Sequence, residues 1–134
     1  MSTITQAQQD AIAAFLKDRH IPDGLGTKKE ACSIAAINLA LTGELTDKIP
    51  DCMSQVIGAW IVRIQDAMPD AMRNSDEWRA LLPLAAGTGR LLETKRKTLI
   101  LDWMWGTVLP TAQSAADKYG FGSEWSAMCS ERTS

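Results

Sequence analysis

The sequence predicts an all-α fold, a compact bundle of about five to seven helices around an apolar central helix at about residues 28–42. Three observations carry this expectation. Helix start and stop signals recur along the chain, and alternating runs of Val, Ile, Thr and Tyr that would mark strands are missing. The segment Ala31–Leu41, ACSIAAINLAL, is also apolar on nearly every side, which suits a helix enclosed by others.

Taken in order, a first amphipathic helix is expected over Gln6–His20, with Ala11, Ile12, Phe15 and Leu16 on one face. Pro22, Gly24 and Gly26 then break the chain. Thr27 and Glu30 have the spacing of a capping box opening the central helix, and Gly43 supplies its left-handed stop. The small residues Ala31, Ala35, Ala36 and Ala40 let neighbouring helices approach closely.

Pro50 suits the first turn of a third helix. Its stripe Met53, Val56, Ile57, Trp60, Ile61, Ile64 and Met68 keeps helical period for about four turns and is expected to face the core. Pro69 ends it. Asn74 with Glu77 offers a cap for a fourth helix presenting Trp78, Leu81, Leu82 and Ala85, which Pro83 should kink or shorten.

Past Gly87-Thr88-Gly89 a longer helix is expected from about Arg90, carrying Leu92, Leu99, Ile100, Trp103, Met104 and Val108 inward. Pro110 marks a break. Two short helices, Thr111–Tyr119 and Ser123–Cys129, should follow, separated by Gly120-Phe121-Gly122.

A chain of 134 residues with 46% hydrophobic and 22% charged residues has the size and composition of one globular domain, residues 1–134. No apolar run reaches the length of a membrane span. The start MSTITQAQQD lacks the pattern of a secretory signal, so the expected location is cytoplasmic. Three widely spaced cysteines, Cys32, Cys52 and Cys129, fit neither a disulfide framework nor a zinc site and read as reduced thiols. A net charge of −2 argues against binding long nucleic acid, but leaves room for a local basic patch that holds a small anion.

Such a patch is expected at Gly87-Thr88-Gly89-Arg90. Glycines let backbone N–H groups turn toward a ligand, a following helix N-terminus carries partial positive charge, and Arg90 adds a fork of donors, with Lys95, Arg96 and Lys97 close behind. The plainer alternative makes the glycines a cap and a turn, and the basic residues a solvated face. Neither the P-loop nor the dinucleotide pattern is present.

Five tryptophans stand against two phenylalanines and one tyrosine. Trp60 and Trp103 fall on apolar stripes and are expected in the core, whereas Trp78 and Trp105 are expected to show a face to a ligand or partner. Asn38 is a polar insertion in the central helix, bonded to backbone or facing a pocket. Asp102 lies in an apolar stretch where Arg63 or Arg79 could pair with it. His20, the sole histidine, suits a helix C-terminus, and no nucleophile or carboxylate pattern assembles a triad or a metal site around it.

Two segments, CSIAAINLALTGELTDKIPDCMS at 32–54 and RNSDEWRALLPLAAGTGR at 73–90, resemble small uncharacterised helical proteins of bacteria and their phages. The resemblance implies a phage or accessory-gene context, in which small proteins inhibit a host enzyme or sequester a signalling nucleotide. It brings no activity and no site residue with it.

The expected function is therefore a non-enzymatic helical binding module, a homo-oligomer without a cofactor, holding a small anionic ligand such as a nucleotide. The expected site is Gly87, Thr88, Gly89 and Arg90 with Trp78, Trp105 and Asn38. The alternative is a protein-protein interaction module that inhibits a host protein through an exposed Trp and apolar helix face.

Overall fold

The structure, a computed structural model, describes residues 3–133. They form α-helices without a strand, so the fold is all-α. The chain divides into two units, Met1–Glu93 and Thr94–Ser134.

In the first unit α1 spans Gln6–Leu16 and opens on a capping box that pairs Thr5 with Gln8. The Gln8 N–H donates to Thr5 Oγ1 at 3.1 Å and the Thr5 N–H to Gln8 Oε1 at 2.8 Å, which satisfies two amides that a helix start leaves over. The helix stops at Leu16, short of the expected His20, because Asp18 takes a left-handed φ of 61°. Ile12 and Leu16 are its buried residues.

The expected capping box at Thr27 and Glu30 closes a turn instead of starting a helix. The Thr27 N–H donates to the Glu30 carbonyl at 2.9 Å, and an isolated antiparallel bridge joins Gly26 to Ala31. Gly26 is required here, since its φ is 77° and a Cβ would lie 1.9 Å from the Glu30 carbonyl oxygen.

Helix α2 therefore starts later, at Ser33–Thr42, with the Cys32 thiol accepting from the Ala35 N–H at 3.5 Å. Gly43 ends it in the left-handed conformation, as expected. Ser33 to Asn38 are all buried, and α2 packs on α1, α3 and α5, which makes it the centre of this unit. Ile12, Leu16, Ile21, Ile34, Ile37, Met53 and Leu82 fill the core with almost no exposure. Each such side chain contributes about 2 kcal/mol relative to remaining in water.

Helix α3 spans Gln55–Ala67 and is capped by Ser54, whose Oγ accepts from the Ile57 N–H at 3.1 Å. Pro50 lies in the preceding loop, not in the helix. The face α3 turns inward is Gly58, Ile61 and Gln65. Of the expected inward stripe within the helix only Ile61 is buried; Val56, Ile57, Trp60 and Ile64 are half-buried, so the apolar stripe is rotated to one side of the core. The cause is polar: Gln65 Oε1 accepts from the N–H and the hydroxyl of Ser33, both at 3.2 Å, and that anchor fixes which side of α3 meets α2.

A short turn, α4 at Asp70–Arg73, leads to α5 at Asp76–Ala86. Ser75 caps α5, not Asn74, whose side chain instead binds both backbone groups of Ile21. Pro83 neither ends nor shortens α5, which runs on for another turn to Gly87.

Helix α6, Glu93–Trp103, starts on the last residue of the first unit and otherwise belongs to the second; it begins three residues later than the expected Arg90 and has no buried residue. The inward placement expected of Leu99 and Trp103 is thus corrected: both are exposed, as is Leu92 just before the helix. Met104–Val108 is π-helical and Leu109–Ala112 is 3₁₀. Pro110 explains the change, because it has no N–H to donate and its ring excludes a carbonyl four residues back; the Leu109 N–H reaches to Met104, five back. Helices α7, Gln113–Lys118, and α8, Gly122–Glu131, then pack on each other. The Trp125 indole N–H donates to the Leu109 carbonyl at 2.8 Å.

Candidate functional site

The Gly87–Arg90 segment follows α5 directly, with Gly87 as its C-cap. The Gly87 N–H donates to the Leu84 carbonyl and the Thr88 N–H to Ala85, both at 3.2 Å, while the Gly89 N–H reaches the Cys52 carbonyl at 2.7 Å. Thr88 Oγ1 accepts from the Ser54 N–H at 2.9 Å and donates to the Ala85 carbonyl at 2.7 Å. Arg90 spans the same neighbouring loop: its Nε donates to Met53 at 3.2 Å, and its terminal nitrogen to Pro50 at 3.3 Å. That nitrogen also stands 3.5 Å from the Asp51 carboxylate.

This segment is thus a zipper between the end of α5 and the loop before α3. The Gly87, Thr88 and Gly89 amides and the Nε and one terminal nitrogen of Arg90, expected to face a ligand, face protein. Glu93 extends the zipper, accepting from the Ser54 hydroxyl and, at 3.2 Å, from the Val56 N–H, so a carboxylate of this chain occupies the first turn of α3.

Asn38 is also turned to structure: its amide donates to the Thr46 and Lys48 carbonyls, both at 2.8 Å, and ties the α2–α3 loop to the central helix. Trp78 is half-buried, packs against the core and donates from its indole to Ser33 Oγ at 3.0 Å, which completes a Trp78–Ser33–Gln65 chain. Trp105 belongs to the second unit, half-buried in the π-helical segment. The structure therefore joins Gly87, Thr88, Gly89 and Arg90 in one segment and gives Asn38 and Trp78 separate tasks within the first unit.

Of the indoles, Trp103, expected in the core, is 48% exposed, while Trp78, expected to show a face to a ligand or partner, is half-buried and bonded to the central helix. Asp102 is exposed and pairs with Arg132 at 2.6 Å, with neither Arg63 nor Arg79 taking that role.

A polar cluster at the other end of α3 was not anticipated. The buried Arg73 guanidinium donates to the carbonyls of Ile21 at 2.8 Å, Gln65 at 3.0 Å and Met68 at 2.8 Å. Its anionic partner is Asp70, at 3.1 Å, which also meets His20 Nε2 at 2.8 Å. Glu30 approaches the other ring nitrogen at 3.6 Å. The bond from His20, with the Arg73 charge, holds the Asp70 carboxyl below its ordinary value of 3.8. The only legible signal for this cluster was the pairing of an Asp and an Arg at i, i+3 after Pro69.

An open feature of the first unit lies between α3 and α5. Both helices rest on α2, and a groove of about 290 Å³ separates them, lined by Ile57, Ile61, Trp78, Leu81 and Leu84. Its lining is almost wholly apolar. Leu81 and Leu84 are 55% and 62% exposed. A second apolar hollow, of about 250 Å³, is lined by Ala59, Trp60, Arg63 and Ile64 of α3.

The three thiols are free; burial is the main cause that pushes those of Cys32 and Cys52 up from their ordinary value. Among the described residues no group of three or more His, Cys, Asp or Glu side chains is arranged to hold a metal ion, and no helix is long and apolar enough to cross a membrane. Comparison with known protein families, with curated proteins and with solved structures finds no match for the chain.

Proposed function

We propose that the chain is a non-enzymatic protein-interaction module that receives an amphipathic helix of a partner protein in the groove between α3 and α5. One observation carries the reading: the groove between α3 and α5 is apolar and open, with Leu81 and Leu84 exposed beside Ile57, Ile61 and Trp78, and a second apolar hollow lies on α3 at Trp60 and Ile64. A groove framed by two helices that rest on a common third accepts another helix by the ordinary packing of ridges into grooves. The partner would anchor through Leu or Ile side chains at i, i+3 or i+4 and i+7. The anionic-ligand reading gains less support, because a nucleotide at Gly87–Arg90 would have to displace bonds that the segment makes to Leu84, Ala85, Cys52 and Met53.

The test is affinity capture with the intact chain, followed by hydrogen exchange on the purified complex. The expected result is a stoichiometric partner whose helical segment protects α3 and α5, with binding abolished by Leu81→Glu or Leu84→Glu. The reading is overturned by binding that survives both substitutions. It is equally overturned if a nucleotide panel raises the melting temperature of the wild type but not of Arg90→Ala.

A further inference from the structure

The central helix carries a buried acceptor that the fold leaves open. Asn38 is 4% exposed, and its Nδ2 donates to both the Thr46 and Lys48 carbonyls, which fixes the orientation of the amide. Its Oδ1 accepts from no donor among the described residues. A carbonyl oxygen so placed is costly to leave alone, and a donor from outside the chain is favoured there. Asn38 borders a hollow of about 220 Å³ between the last turn of α2 and the loop at 43–51, far more than the ~30 Å³ share of one water.

The walls of this hollow supply one unengaged charge of each sign. Neither the Glu44 carboxylate nor the Lys48 ammonium makes an ion pair or a hydrogen bond, with each other or with any other described residue. Asp51, which also borders the hollow, stands instead 3.5 Å from Arg90. Thr46 Oγ1 accepts from the Lys48 N–H at 3.2 Å and keeps its own O–H to donate. Ile49 and Pro50 add an apolar part to the wall. We propose that this hollow binds a small zwitterion carrying a primary ammonium and a carboxylate, the chemistry of a free α-amino acid. The ammonium donates to Asn38 Oδ1 and to Glu44, beside the C-terminal turn of α2, where the helix dipole favours a cation. The carboxylate accepts from Lys48 and from the Thr46 hydroxyl. A plain anion would meet the acceptors of Asn38 and Glu44, and a plain cation would meet Lys48, so the pattern selects a molecule that bears both charges.

This inference does not depend on the α3–α5 groove. The test is titration of the full, nitrogen-labelled chain with three probes, followed by proton–nitrogen NMR: L-valine, isobutylammonium, which is valine without its carboxylate, and isovalerate, which is valine without its ammonium. L-valine should shift the Asn38 side-chain amide signal together with backbone signals of 42–51. Each half-molecule should bind at least about tenfold more weakly than the whole. Glu44→Gln and Lys48→Met, both at exposed positions, should each weaken L-valine by about tenfold and leave the melting temperature unchanged. Glu44→Gln should spare the response to isovalerate, and Lys48→Met that to isobutylammonium. An Asn38 signal that does not move with L-valine up to about 100 mM overturns the proposal and leaves the hollow to water alone. Half-molecules that bind as well as the whole overturn it too, as does L-valine binding that survives both substitutions.

Discussion

The Nε of Arg90 donates to the carbonyl of Met53 at 3.2 Å, and this bond decides how the glycine-rich segment behaves. A guanidinium that fastens one loop to another is part of the fold first. Arg90→Ala should lower stability by about 1–2 kcal/mol, read as a shift in the urea midpoint at constant slope. An unchanged midpoint would show that the zipper is not under load and would return Arg90 to the role of a ligand fork.

Arg73 should matter more. Its removal strands the carbonyls of Ile21, Gln65 and Met68 in a buried setting. Arg73→Met is expected to cost about 3 kcal/mol or more in urea unfolding. Arg73→Lys should recover little of this, since one ammonium cannot span three acceptors that the planar fork reaches together. Full recovery by lysine would mean that charge alone, without the fork geometry, holds the cluster.

Asp70 gives a pH signature of defined sign. Its folded-state carboxyl is held below the ordinary 3.8, chiefly by the bond from His20, so the stability it contributes is present above that value. That contribution is lost as pH falls through the lower, folded-state value. Comparing urea midpoints of wild type and Asp70→Asn across about pH 2–6 should therefore show a gap at the upper end that closes at the lower. A gap independent of pH would assign the contribution to shape, not charge.

The thiols should separate by rate. Cys32 and Cys52 are buried, and burial pushes both up from the ordinary value, so little thiolate is available on either. Cys129 is only half-buried. Alkylation with iodoacetamide at neutral pH, followed by peptide mass spectrometry, should modify Cys129 first, with Cys32 and Cys52 following on the time scale of unfolding. Equal rates at all three would show that α2 and the loop before α3 open far more readily than their packing implies.

Much of the fold was legible because its signals are local. The apolar run from Ile34 to Ile37, the Gly43 stop and the Pro69 boundary each depend on residues a few positions apart, and the structure follows all three. The misplaced boundaries have different causes, one of them a distant partner. Asn74 has the type and spacing of a cap, yet Ile21 takes its side chain and Ser75 does the capping. Thr27 and Glu30 match a capping box, but the Gly26–Ala31 bridge commits their backbone to a turn. The true box at Thr5 and Gln8 has the same pattern and could have been found by it.

The rotation of α3 was not legible because it too depends on a distant partner. Hydrophobic period says that a helix has an apolar side, but not which side meets a neighbour; Gln65 settles that through Ser33, on another helix. The glycine-rich segment was expected at the start of a helix, with a cap at the end of the preceding one as the plainer alternative; Gly87 caps α5 and the next helix begins only at Glu93. Only the carbonyls of Cys52 and Met53, invisible in the side-chain pattern, distinguish a ligand cradle from a zipper.

The packing of α1 on α5 also governs the order in which the chain can fold as it is made. A ribosome releases residues from the N-terminus, so α1 emerges with its apolar face complete and its second supporting surface still unsynthesised. Until Asp76–Ala86 follows, α1 lacks one of the two helices it packs on. The first unit therefore cannot complete the cover of α1 before Asp76–Ala86 is made, and that contact closes a long loop.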